Sequence, residues 1–238
     1  MADIDLAKDH EYVCEVGGKP KISVSRIAKL VDDDKTDGLM RWAVWLADQG
    51  ENYLEVREYK ADRGTRVHAH MKAWANGETV QALPDEVGFL DAAAKFRIDT
   101  GAVTIESEAA VVSATHGYGG TFDDISEIDG ELWGLDWKTG ALRDRENELQ
   151  HAGYWNADGI AIYDDEGNFT GMRPLPAVTR WATVGLREDG TYDFREAPVR
   201  RRGQGKTPIK ELQDEAWRQF RGLLDHFAWL HPTKGVTA

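Results

Sequence analysis

The sequence predicts an α/β fold: one domain with an N-terminal helical portion followed by strands. Three observations lead there. Residues 20–100 hold three stretches with apolar residues at helical spacing, each closed by a glycine. From Gly101 the pattern turns to β-branched residues and partial alternation. Two further helical stretches then interrupt and close the strand region, and no linker divides the chain.

Taken in order, PKISVSRIAKLVD (20–32) reads as a short strand or turn entering a helix, with Ser23 or Ser25 as N-cap. LMRWAVWLADQG (39–50) is a helix stopped by Gly50. RGTRVHAHMKAWANG (63–77) places Val67, Met71 and Trp74 on one helical face and ends at Gly77. GFLDAAAKFRIDTG (88–101) is a third helix. AVTIESEAAVVSATHG (102–117) reads as a strand, and residues 120–140 form the clearest hairpin, because Asp129-Gly130 suits a two-residue type I′ turn. RDRENELQHAGYWNADG (143–159) returns to helical spacing. Residues 160–198 give more strands with turns at EGN and EDG, and 207–231 form a final helix with Pro208 in its first turn.

The resulting division is an N-terminal segment (1–19), a single domain (20–231) and a C-terminal tail (232–238). Within the domain, 20–100 is mainly helical, 101–198 holds the sheet and a helix, and 199–231 a basic loop and helix.

Composition narrows the function classes. The 238 residues are 41% hydrophobic and include one cysteine, Cys14. That excludes a disulfide framework, a zinc knuckle or a four-cysteine iron–sulfur cluster within one chain. Mean hydropathy is -0.54, no apolar run is long enough to cross a bilayer, and residues 1–20 show no secretory signal. A cytoplasmic location without membrane partners is expected. The net charge of -13 runs against the basic surface usual in nucleic-acid binders. Its distribution is uneven, however: residues 200–210 carry five cations and no acid, while acids gather at 32–34 and 164–166.

The hairpin carries the chemistry. In GELWGLDWKTG (130–140), Trp133, Leu135 and Trp137 share one face, and Asp136 and Lys138 share the other. A turn at Asp129-Gly130 sets Asp123 opposite Asp136, Thr121 opposite Lys138 and Phe122 opposite Trp137. Opposed Cβ atoms lie roughly 4.5–5.5 Å apart. Phe122 should therefore cover the tryptophan face, together with the adjacent Asp124. Two acids in direct opposition are destabilising unless a cation offsets them, and a divalent ion with oxygen ligands is one answer. A lysine neutralising a solvated acid pair is the other.

At this point the residues resemble a family. GTFDD followed by LDWKTG is similar to the D…(D/E)-x-K signature of the PD-(D/E)XK nuclease superfamily, most of all its RecB-type exonuclease branch and phage-encoded members. RGTRVH supplies Gly64 and His68 of a Gly-x-x-x-His helix motif, and QHAGY supplies Gln150 and Tyr154 of a Gln-x-x-x-Tyr motif. The likeness spans roughly residues 20 to 230. It departs at Lys72, where a glutamate often follows the histidine, and in lacking the cluster cysteines.

The resemblance implies a restriction-endonuclease-like domain with a central mixed β-sheet flanked by helices. It also implies a metal-dependent exonuclease of DNA recombination, repair or replication. Asp123, Asp136 and the Trp137 backbone carbonyl would hold Mg²⁺ or Mn²⁺, with His68 a further ligand and Glu108 an additional one. Lys138 would orient the attacking water, and Gln150 and Tyr154 would face the site and the DNA. No iron–sulfur cluster is expected. Arg63, Arg66, Arg143, Arg145, Arg200, Arg201, Arg202 and Lys206 are candidate phosphate contacts, with DNA ends and a single-strand-binding or recombination protein as partners. His70 should be solvated. Two other classes fit the acids: a non-catalytic DNA-end- or partner-binding module, and a glycoside hydrolase with paired carboxylates and many tryptophans.

Overall fold

The computed structural model describes residues 12–13, 21–31, 35–79, 81–200 and 205–230. Most of segment 1–19 with Cys14, the acids at 32–34, Arg201, Arg202 and the tail 232–238 lie outside the described residues. The N-terminal half runs β1 (Ile22–Ser23), α1 (Val24–Ala28), a 3₁₀ turn (Lys29–Val31), α2 (Lys35–Asp48), α3 (Tyr53–Ala75) and α4 (Val87–Thr100). Strands β2 (Val103–Ser113), β3 (Tyr118–Ile128) and β4 (Glu131–Lys138) follow, then α5 (Asp144–Trp155). The chain closes with β5 (Gly159–Tyr163), β6 (Phe169–Arg173), β7 (Arg180–Leu186), β8 (Tyr192–Ala197) and α6 (Ile209–Leu230).

Local chemistry explains the boundaries. Ser23 caps α1 by accepting the Arg26 N–H at 3.3 Å, which settles the choice between Ser23 and Ser25. The α3 helix starts ten residues before the predicted Arg63. Asn52 caps it through the Leu54 N–H at 2.9 Å, and its first turns are largely exposed and charged, so they show no apolar period. Gly101 closes α4 in the left-handed region at φ 67°.

The eight strands form one mixed sheet, ordered β6-β5-β2-β3-β4-β7-β8, with β1 parallel to β3. β4 and β7 pair in parallel across the α5 connection, and the other neighbours are antiparallel. Asp129 and Gly130 take φ of 52° and 79°, and the pairing Ile128↔Glu131 is the predicted register.

Helices cover both faces. On one, α1, α5 and α6 pack Val24, Ile27, Leu149, Phe220 and Leu224 on the sheet. On the other, Val67 and Met71 of α3 and Phe89 and Phe96 of α4 meet Trp133, Leu135 and Trp137. Each such large side chain contributes roughly 1.5–3 kcal/mol by leaving water. Gly134 points to the first face, where an added Cβ would lie 2.7 Å from Trp155.

Phe122 corrects the sequence reading. It packs with Ile125 in the α5–α6 core and not with Trp137. The β2–β3 ladder steps from Ser107↔Asp124 to Ala109↔Phe122 without pairing Glu108 and Asp123, and Glu108 has φ 51°. This break reverses the alternation, so Phe122 and Ile125, three residues apart, share a side. Among the described residues, no helix is long and apolar enough to cross a membrane.

Candidate active site

The break in alternation is where five elements converge. α3 buries Val67 and Met71 and turns the next residue, His68, toward the sheet. Gly64 lets α3 approach the end of β4, since a Cβ there would sit 3.0 Å from Thr139 Oγ1. His68, Glu108 of β2, Asp123 of β3, Lys138 of β4, and Gln150 and Tyr154 of α5 all line one cavity of about 730 Å³.

His68 Nδ1 lies 3.5 Å from Asp123 Oδ1 and 3.7 Å from Glu108 Oε1, and one ligand atom from each of the three falls within 4.8 Å of the others. These separations exceed ordinary hydrogen bonds. They approach the roughly 3–3.5 Å between adjacent ligands of one divalent ion bonded at about 2.1–2.5 Å. Asp123 Oδ2 accepts the Trp137 N–H at 2.8 Å, just past the last paired step, Asp124↔Leu135. A strand residue's N–H and C=O point to the same side, so the Trp137 carbonyl is directed toward the β3 edge.

Asp136 stands beside this group, buried, with its oxygens 2.9 and 2.8 Å from Lys138 Nζ. Its Oδ2 has no aligned hydrogen-bond donor. Lys138 Nζ also donates to Gln150 Oε1 at 3.3 Å, and Gln150 Nε2 donates to the Tyr154 hydroxyl at 2.6 Å. The Gln-x-x-x-Tyr pair is thus bonded to the lysine, one turn of α5 reaching the end of β4.

Charge is concentrated here. Burial alone would lower the His68 pKa, but the nearby carboxylates of Asp123 and Glu108 push it up to about 10. Burial would raise Asp123, yet His68, Lys138 and the Trp137 N–H hold it below the usual carboxylate range. Asp136 moves up: burial and Asp123 outweigh Lys138. Lys138 is raised, because Asp136 and Asp123 overcome its burial. The sequence did not single out His151. Burial and Lys138 depress it to about 3, so it is neutral, and its Nε2 lies 3.2 Å from Thr183 Oγ1.

His68, Glu108 and Asp123 turn one ligand atom each toward a shared space. One imidazole with several carboxylate oxygens suits a small divalent cation, and the nitrogen is better tolerated by Mn²⁺ than by Mg²⁺. The residues fit the ion that the sequence implied.

Arg63 and Arg66 of α3 already have acidic partners. Arg63 is buried, 2.6 Å from Glu188 and stacked 4.6 Å over the Phe89 ring. Arg66 is bonded to the buried Glu86 and lies 3.3 Å from Asp85. Both face α4, not the cavity, and their charge is already matched. His70 is buried as well, its Nε2 3.0 Å from Glu86 Oε2. Arg143 lies 4.0 Å from Glu146, Arg200 donates to the Thr207 carbonyl, and Arg145 and Lys206 are exposed. None of these lines the cavity. Lys29, Lys60, Lys72 and Tyr12 do. Tyr12 is held by Thr121 Oγ1 at 3.1 Å, with its ring over Gly119. The spacing of Lys60 and Lys72 from His68, in multiples of four, was the signal available for those two.

No protein-family model matches the chain, and no curated protein matches it in sequence. Among solved structures, it is similar to a crystal structure of LHK-Exo in complex with dAMP. The identity is 15%, covering 89% of this chain and 92% of that one, with a TM-score of 0.40. It is also similar to a crystal structure of an alkaline exonuclease (LHK-Exo) from Laribacter hongkongensis. There the identity is 13%, covering 89% of this chain and 93% of that one, with a TM-score of 0.36.

Proposed function

We propose that the protein is a divalent-metal-dependent deoxyribonuclease, an exonuclease working on DNA ends in phage or bacterial recombination, repair or replication. The observation that supports it is the gathering of His68, Glu108, Asp123 and Lys138 in one cavity, with the buried Asp136 paired to the lysine. The three convergent groups, with Asp136 and the Trp137 carbonyl adjacent, would hold Mg²⁺ or Mn²⁺. When bound, the ion supplies Lewis-acid polarisation of a phosphoryl oxygen and lowers the pKa of water.

The chain's own residues do the rest. The Lys138 ammonium, kept protonated by Asp136 and Asp123, places positive charge where the phosphate's negative charge grows during attack by water. Gln150 fixes the lysine's direction, and Tyr154 fixes Gln150. No side chain need form a covalent bond to phosphorus. Lys138 has no evident task in glycoside hydrolysis, which sets that reading aside.

The test is incubation of end-labelled single- and double-stranded DNA, linear and circular, with Mg²⁺ or Mn²⁺ and with EDTA. Shortening of linear DNA alone, abolished by EDTA, is the expected result. DNA bound but never shortened would make the protein a binding module and overturn the assignment.

A further inference from the structure

The cavity wall formed by α3 repeats every four residues. Lys60, Gly64, His68 and Lys72 all line it, and residues four apart share one helix face. At 1.5 Å per residue, Lys72 lies about 6 Å along the axis from His68 and Lys60 about 12 Å in the other direction. The 6 Å step is close to the spacing of successive phosphates on an extended strand. Between Lys60 and His68 the wall is bare, because Gly64 has no side chain.

Both lysines are exposed, and neither has a carboxylate partner among the described residues. Arg63 and Arg66 of the same helix are paired with Glu188 and Glu86. Lys60 is steadied by the Trp42 ring, 4.9 Å from its Nζ, a contact that does not neutralise its charge. In a chain of net charge -13, unpaired ammonium groups flanking an acidic cluster hold a polyanion where the protein as a whole would repel it. Lys60, Gly64, His68 and Lys72 form one row on a single helix face, a shape that follows one phosphate backbone.

We propose that α3 is a rail for a single DNA strand. Lys72 binds the phosphate next to the cleaved one, and Lys60 binds the phosphate two steps away on the other side. This rests on the nuclease reading for which phosphate is cleaved.

The experiment has two arms. In EDTA, binding of a fluorescein-labelled single-stranded oligonucleotide is measured by anisotropy across a salt series. The proteins are wild type, Lys60→Ala, Lys72→Ala and a control, Lys95→Ala, whose lysine is paired with Asp99 outside the cavity. Each rail variant should bind several-fold more weakly at low salt, and its log–log salt slope should fall by about 0.7 for the lost phosphate contact. The control should match wild type. In the second arm, oligonucleotides carry one uncharged methylphosphonate linkage at a stepped position and are cleaved with Mn²⁺. Neutralising the adjacent phosphate should slow wild type but not slow Lys72→Ala further, and neutralising the phosphate two steps away should behave likewise with Lys60→Ala. Unchanged affinity and slope in both variants, or methylphosphonate penalties that persist in full in them, overturns the rail. Wild-type cleavage with indifferent lysines sinks the rail and leaves the nuclease standing. Lysine-dependent binding without cleavage in either metal does the reverse.

Discussion

Asp123 and Asp124 are neighbours in the chain and opposites in circumstance. Asp124 faces the α4 core, where its carboxylate meets Arg97 at 3.0 Å, Thr104 at 3.0 Å and Ser126 at 2.5 Å. Asp123 faces the cavity with one backbone N–H at 2.8 Å, a histidine at 3.5 Å and a second carboxylate close by. An acid that stabilises a fold is surrounded by donors. Asp123 has a single close donor and shares open space with His68 and Glu108. Saturation of partners separates the two roles, and Asp123 is also the more exposed of the pair.

The largest expected effect is on the cavity side. Asp123→Ala should bring metal-dependent DNA cleavage to the blank rate, while the melting temperature in EDTA moves less than for any loss of Asp124. Added Mn²⁺ should raise the melting temperature of wild type and not of this variant, by binding linkage. Cleavage at the wild-type rate would remove Asp123 from the site. Next, Asp124→Ala takes the acceptor from the half-buried Arg97 guanidinium and from the Thr104 and Ser126 hydroxyls and should cost about 1–3 kcal/mol of stability in urea unfolding; a loss under about 0.5 kcal/mol would erase the contrast. Lys138→Ala should lower the cleavage rate by about 10²–10³-fold with the fold retained by circular dichroism.

The smallest effect concerns another buried acid, Glu86. Burial would raise its pKa, but Arg66, the Leu83 N–H and His70 outweigh it and hold it below the ordinary range. A depressed folded pKa means stability that is present above the unfolded value and lost as pH falls through the folded one. Melting temperature should therefore drop as pH falls below the usual carboxylate range, and Glu86→Gln should flatten that drop. An unchanged acid profile in the variant would assign the sensitivity elsewhere.

How much of this was legible follows from the range of each interaction. The hairpin register could be read because Asp129-Gly130 fixes it locally, and Gln150 and Tyr154 because one helix turn fixes their spacing. The side taken by Phe122 could not, since it depends on a backbone break opposite Glu108 on another strand. The acids that pair with Arg63 and Arg66, Glu188 and Glu86, could not be read because they are remote in sequence. The early start of α3 was invisible because its first turns bury little. Lys72 was noted only as a departure from a motif; its place on the His68 stripe appears once the helix is drawn against the sheet.

Glu108 adopts φ 51° inside a strand, a conformation that costs a residue with a Cβ about 1–2 kcal/mol. Glycine would relieve it and asparagine would tolerate it. A library selected for heat resistance alone should accordingly enrich Glu108→Gly and Glu108→Asn, yielding sturdier proteins that lack one carboxylate of the His68–Glu108–Asp123 group. Robustness and competence pull this one backbone position in opposite directions, which makes it the place to look for a trade-off between them.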